Sequence, residues 1–123
     1  KVSVFARDIG RVFLNILNNA FYAIHEKSRK STDDYSPTVS ISSRLIDNQV
    51  EIRIRDNGPG IPASSLDKIF NPFYTTKPAG KGTGLGLSLS HEIVVEEHMG
   101  EFLVETEHGS FTEFIIRLPI HNT

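Results

Sequence analysis

The sequence predicts an α+β domain: a mixed, mostly antiparallel sheet with helices packed on one face. Two observations lead there. The apolar residues switch between helical and strand spacing in the order strand, helix, hairpin, loop, helix, hairpin, which leaves too few crossovers for a doubly wound parallel sheet. The 123 residues, 38% of them hydrophobic, suffice for one core and not for two, so a single domain over residues 1–123 is expected.

The elements follow from local patterns. Val2 and Val4 alternate as a short strand, and Asp8 offers an N-cap to an amphipathic helix from about Ile9 to Lys30. Its expected buried stripe is Val12, Phe13, Ile16, Leu17, Ala20, Ala23 and Ile24, at three- and four-residue spacing. Polar residues from Ser28 to Pro37 end it. Val39, Ile41, Ser43 and Leu45 share one strand face, Val50, Ile52 and Ile54 another, and Asp47-Asn48 supplies the turn of a hairpin that ends at Asp56. From Asn57 to Thr83 the chain is rich in proline and glycine, with a short helical piece around Ser64 to Ile69, which reads as a long functional or disordered loop. A second helix is expected from about Gly84 to His98, burying Leu85, Leu89, Ile93 and Val94. Strands around Glu101 to Thr106 and Phe111 to Leu118 close the chain, joined at His108-Gly109.

Composition narrows the chemistry. A net charge of −2 gives no general attraction to nucleic acid or anionic lipid, so phosphate binding must come from local geometry. Without cysteine there is no disulfide framework and no thiolate metal site, which suits a reducing, cytoplasmic setting. No apolar run approaches the roughly 18 residues of a membrane span, so the piece is expected to be soluble and without membrane contact of its own. It opens at Lys1 and reads as a fragment of a longer protein, whose parent could be membrane-anchored.

Three segments carry candidate chemistry. Asn15 and Asn19, four apart, share one side of the first helix in line with Tyr22 and Glu26. Asparagine is a poor mid-helix residue, so either the pair forms a solvated, hydrogen-bonding face or an amide oxygen ligates a hard cation. Asp56-Asn57-Gly58-Pro59-Gly60-Ile61 follows an alternating strand. Alone it is an ordinary turn; functionally it is a carboxylate placed to accept from an exocyclic amine, with glycines clearing the approach of a flat ring. Gly80-Lys81-Gly82-Thr83-Gly84-Leu85-Gly86-Leu87 runs into the second helix, where converging N–H groups and the helix dipole favour an anion. The spacing is neither G-x-G-x-x-G nor a Walker loop. His91-Glu92 lies downstream of these glycines among core leucines and is assigned to ordinary helix, and the five histidines show no metal spacing.

Taken in order, the segments resemble the catalytic ATP-binding domain of sensor histidine kinases, in the wider GHKL family of gyrase, mismatch-repair ATPases and the large heat-shock chaperone. Asn15-Ile16-Leu17-Asn18-Asn19-Ala20 resembles its asparagine box and Asp56 to Gly60 its first glycine box. Phe70-Asn71-Pro72-Phe73 resembles the phenylalanine box and Gly82 to Leu87 the second glycine box. The resemblance implies the two-layer α/β sandwich called the Bergerat fold, with ATP between the helices under a mobile lid. It implies that Asn19 ligates Mg²⁺, that Asp56 binds the adenine amine with help from Thr112, and that Gly58, Gly60 and Ile61 admit the ring. Gly82, Thr83, Gly84, Leu85, Gly86 and Leu87 would shape the phosphate site, Phe70 and Phe73 would anchor the lid, and Lys77 or Lys81 would neutralise phosphate charge. Asn15 would stand beside the reacting groups as polar support.

The departures carry information too. Tyr22-Ala23 stands where many relatives have lysine-tyrosine, and Met99 and Phe111 where they often have glycine. On this reading the family's usual first strand and helix are expected to be missing or cut short, with the phosphorylatable histidine expected on a domain other than this one. The resemblance therefore implies an autokinase half that binds Mg-ATP and presents the γ-phosphate to a histidine on a separate dimerisation domain, upstream of a response regulator. The rivals are a GHKL-type ATPase and a nucleotide-binding module without phosphotransfer. Such ATPases carry a glutamate one turn before the magnesium asparagine, and here that position is Asn15.

Overall fold

The computed structural model describes residues 2–30, 34–71 and 86–119, with side chains from Asp8 onward in the first stretch. Helix α1 spans Val2–Lys30. The strand expected at Val2 to Val4 is thus corrected to helix, and Asp8 lies inside α1 instead of capping it. Two valines two apart are too short an alternation to decide the period, and Val2, Phe5, Ile9 and Val12 also fit helical spacing. Of the expected stripe of α1, Val12, Ile16 and Ala20 are buried and Phe13 and Leu17 pack at the edge of the core, while Ala23 and Ile24 are only half-buried and Ile9 joins the buried set.

Strands β1 (Val39–Ile46) and β2 (Gln49–Asp56) form the expected hairpin. Asp47 and Asn48 both take positive φ, 47° and 66°, the pair of left-handed residues that a two-residue type I′ turn requires. After the single helical turn α2 (Ala63–Leu66), helix α3 runs Gly86–His91 and widens into a π-helical turn over Glu92–Glu97. Strands β3 (Glu101–Glu107) and β4 (Phe111–Pro119) make the second hairpin. Pairing β2 with β4 gives the order β1-β2-β4-β3, and every pairing among the described strands is antiparallel.

The sheet has two unlike faces because side chains alternate. Ile54, Phe102, Phe114, Ile116 and Leu118 point to the helices and, with Val12, Ile16, Ile93 and Val94, make the core. Residues of odd number in β2 and β4 point the other way, where Glu51 accepts from Arg44, Arg53 and Arg117 at 3.0, 3.0 and 2.9 Å. Glu113 pairs with Arg53 and Arg55 on the same face. The guanidinium of Arg53, then that of Arg117, holds the Glu51 carboxyl far below the usual range, at about 2. β1 lies at the edge beyond reach of the helices, so its inward Ile41 and Leu45 stay 60% and 69% exposed.

The helix that was expected to bury Leu89 does not; Leu89 is 39% exposed. The buried face of α3 is centred on Ser90, with Ile93 and Val94 beside it, and Leu89 falls about a quarter turn away. The helix ends with Gly100 N–H donating to Val94 O at 2.8 Å while Met99 sits at φ 57°. A Cβ on Gly100 would collide with the Arg117 carbonyl, so the glycine is needed there and Met99 takes the left-handed residue, a conformation costing about 1–2 kcal/mol outside glycine.

Candidate functional site

Asp56 is the last residue of β2 and, by parity with Ile52 and Ile54, projects to the helix side of the sheet, where it is 4% exposed. Its register partner on β4 is Thr112, which is buried and whose hydroxyl lies 3.1 Å from that of Thr106 on β3. The polar residues Asp56, Thr112 and Thr106 thus cross one end of the sheet on its inner face, which apart from Ser43 on the edge strand β1 is otherwise aliphatic or aromatic. Burial pushes the Asp56 carboxyl up to about 6, against the opposing pulls of the Gly58 N–H and the Lys27 ammonium.

The turn after β2 is held on every side. Gly58 N–H donates to Asp56 Oδ1 at 2.8 Å, and Ile61 N–H to Thr106 Oγ1 at 2.9 Å. Asn57 is fixed by Thr38 N–H at 2.8 Å, by the Ser36 carbonyl at 2.8 Å and by the Tyr35 hydroxyl at 3.1 Å. Glycine is required twice. A Cβ on Gly58 would stand 2.8 Å from Asp56 Oδ1 and 2.9 Å from Ala23 Cβ, and Gly60, at φ 73°, would drive a side chain into the Glu107 carbonyl. The small Ala23 is what lets α1 come this close to the turn.

Along α1, Asn19 falls between Ala23, which touches the turn, and Asn15, which touches α3. Asn15 Nδ2 donates to Gly86 O at 3.3 Å and to the hydroxyl of buried Ser90 at 3.2 Å, so it ties α1 to the start of α3. Leu87 packs against the core and Gly86 faces Asn15. Phe70 lies against His91, ring centroids 4.9 Å apart, and against Phe102 at 5.2 Å, which fastens the end of the first loop to α3 and β3. Phe73, Lys77, Lys81, Gly82, Thr83, Gly84 and Leu85 lie outside the described residues, as does the expected lid.

Lys27, Tyr35 and Thr106 also border the site, although no motif in the sequence marks them. Lys27 could have been noticed as the continuation of the row Asn19, Ala23, Lys27 at four-residue spacing, and Thr106 as the inward residue closing β3. Tyr35 gave no signal, since its partner Asn57 is reached only through folding.

Comparison with known proteins places this geometry. The family model described as histidine kinase-, DNA gyrase B-, and HSP90-like ATPase matches residues 6–122. Sporulation kinase E of Bacillus subtilis is 38% identical over 111 residues, 89% of this chain and 13% of its own length. The sensor histidine kinase ZraS of Escherichia coli is 36% identical over 113 residues, 92% of this chain and 22% of its own. The chain therefore spans less than a quarter of the length of these relatives. Among solved structures, the nucleotide-free catalytic domain of histidine kinase ThkA superposes with a TM-score of 0.73 at 32% identity, covering 92% of this chain and 67% of that one. With the open antiparallel sheet, the two helices on one face and the carboxylate at the end of β2, these matches establish that the chain belongs to the histidine kinase-, DNA gyrase B- and HSP90-like ATPase family.

Proposed function

We propose that this chain is the ATP-binding catalytic domain of a sensor histidine kinase, which binds Mg-ATP and donates its γ-phosphate to a histidine on a separate phosphoacceptor domain of the same parent protein. The observation that carries the reading is Asp56: a carboxylate 4% exposed on an inner sheet face, where the hydrophobic alternative would be stabilising unless a ligand uses the charge. Asp56 accepts from the adenine amine, Thr112 borders that edge, and Gly58, Gly60 and Ile61 form the turn that the ring approaches.

Asn19, half-buried on α1 between the turn and α3, suits Mg²⁺, since a neutral amide oxygen completes a shell shared with phosphate oxygens and water. Bound Mg²⁺ would neutralise phosphate charge as the γ-phosphoryl leaves. Asn15 holds α3 in place, and Gly86 and Leu87 set where the phosphate segment enters that helix. Gly82, Thr83, Gly84, Leu85 and either Lys77 or Lys81 belong to the phosphate side of the proposal, with Phe70 and Phe73 anchoring the segment between. The parent protein passes the phosphoryl group on to a response regulator, and the domain works on the cytoplasmic side.

Hydrolysis by the chain itself is disfavoured because Asn15, already donating to Gly86 and Ser90, is neutral and offers no base for water. His91 packs its ring against Phe70 and Phe102 in a three-ring cluster and does not serve as acceptor in cis. Incubation with γ-labelled ATP tests the proposal. The chain alone should acquire no acid-labile label and release little phosphate, and adding the histidine-bearing domain of its parent should place label on that domain only. Label on the isolated chain, or brisk phosphate release, would overturn it.

A further inference from the structure

Lys27 lies one turn beyond Ala23 on the side of α1 that faces the turn after β2. Its ammonium donates to the carbonyls of Gly58 at 3.3 Å and Gly109 at 3.0 Å, and sits 5.0 Å from the centroid of the Tyr35 ring. Those partners belong to three separate segments: the turn after β2, the β3–β4 turn, and the stretch leading into β1. The segments also bind one another, through Gly109 N–H to Pro59 O and through the Tyr35 hydroxyl to Asn57 O at 3.0 Å. One cation stands where they converge, and lysine's three donors and ring-facing charge suit it to all of them.

We infer that Lys27 is a positioning residue for nucleotide binding, which sets the orientation of Asp56 by fixing the backbone on both sides of Gly58. The inference rests on the reading of Asp56 as the adenine-binding carboxylate. Gly58 is gripped at both its polar atoms, its N–H by Asp56 Oδ1 and its carbonyl by Lys27, while Ala23 leaves it no room to slide. The N–H and the carbonyl belong to successive peptide planes joined at the Gly58 Cα, so releasing the carbonyl frees the glycine's φ and ψ to drift and loosens the donor that aligns the Asp56 carboxylate. The ammonium also acts through space. Among the described residues, the ionisable groups around Asp56 are Lys27 from α1 and the Tyr35 phenol from the segment before β1, whereas β4 and β3 offer the neutral Thr112 and Thr106. Among the described residues the Gly58 N–H, and after it the Lys27 ammonium, favour the ionised form of this buried carboxylate.

The test is calorimetric titration of the full 123-residue chain with Mg-ATP between pH 5.5 and 8.5, for the wild type, Lys27→Met and Lys27→Arg. Methionine keeps most of the stem and removes the donors and charge; arginine keeps both. Lys27→Met should weaken binding at pH 7 by about tenfold. It should also move the acidic limb of the affinity profile to higher pH and lessen the preference for ATP over inosine triphosphate, which lacks the exocyclic amine. Lys27→Arg should recover most of each effect. If Lys27→Met fails to fold, Lys27→Gln replaces it under the same criteria. A folded variant with unchanged affinity and an unmoved acidic limb overturns the inference. So does a loss equal at every pH and for both nucleotides, because that is the mark of general loosening. Asp56→Asn run in parallel separates the two readings: if it binds ATP normally, the assignment of Asp56 fails, and if it loses ATP while Lys27→Met does not, only the role of Lys27 fails.

Discussion

Replacing Asp56 by asparagine should make the folded chain more stable at neutral pH while removing its affinity for ATP. The carboxyl is raised by burial from 3.8 to about 6, so the folded state holds its proton more tightly than the unfolded state does. The sign follows directly. Stability from this group is fully present below pH 3.8 and is lost as pH rises to about 6, above which the ionised form is a burden to the fold. At full value that burden is about 3 kcal/mol, and solvent screening reduces it to about 1–2 kcal/mol. An asparagine Oδ1 can still accept from Gly58 N–H, so the 2.8 Å bond that shapes the turn survives the substitution. Urea denaturation from pH 4 to 7.5 should show the variant gaining about 1–2 kcal/mol at pH 7, equivalent to a Tm rise of roughly 3–10 °C, with the difference closing near pH 4. ATP affinity should fall about ten- to a hundredfold through loss of a charge-assisted hydrogen bond. A variant no more stable than wild type at pH 7, or a difference that does not change with pH, would refute the reasoning.

Gly60→Ala should destabilise by about 2 kcal/mol or more, because alanine at φ 73° carries the left-handed penalty and its Cβ meets the Glu107 carbonyl; chemical denaturation measures it, and a change under 0.5 kcal/mol would contradict the geometry. Glu51→Gln should destabilise at pH 7 by removing the shared partner of Arg53, Arg117 and Arg44. The folded carboxyl at about 2 lies below its ordinary 4.5, so its contribution is present above pH 4.5 and is lost as pH falls toward 2; melting curves of the two proteins should therefore converge in acid, and parallel curves would count against the network.

Much of this was readable before folding. The hairpin from Val39 to Asp56 was legible because its alternation is sustained and Asp47-Asn48 is turn chemistry, and Thr112 shares the parity of Phe114, Ile116 and Leu118 that turns it to the inner face. The errors fell where the pattern was short or the helix irregular. Val2 to Val4 offered too few residues to fix a period, and Leu89 is turned out of the core because the buried face of α3 follows Ser90, the residue Asn15 grips. Contacts between distant segments were illegible for a different reason. Nothing in a linear reading joins Lys27 to Gly109, or Glu51 to Arg117, until β2 and β4 are side by side.

That central pairing of β2 with β4 has a consequence for how the molecule is assembled. Each hairpin closes over a short turn and can form early, whereas Asp56 meets Thr112 only after the whole intervening chain has been looped out. Asp56 and Thr112 therefore become neighbours in the slowest-closing step of the sheet, and a partly folded chain carrying either hairpin alone lacks the polar end that the proposed site needs. The cost of that closure rises only about 0.6 kcal/mol for each doubling of the loop. Lengthening the connection outside its packed helices should therefore cost the fold little while Asp56 and Thr112 stay in register.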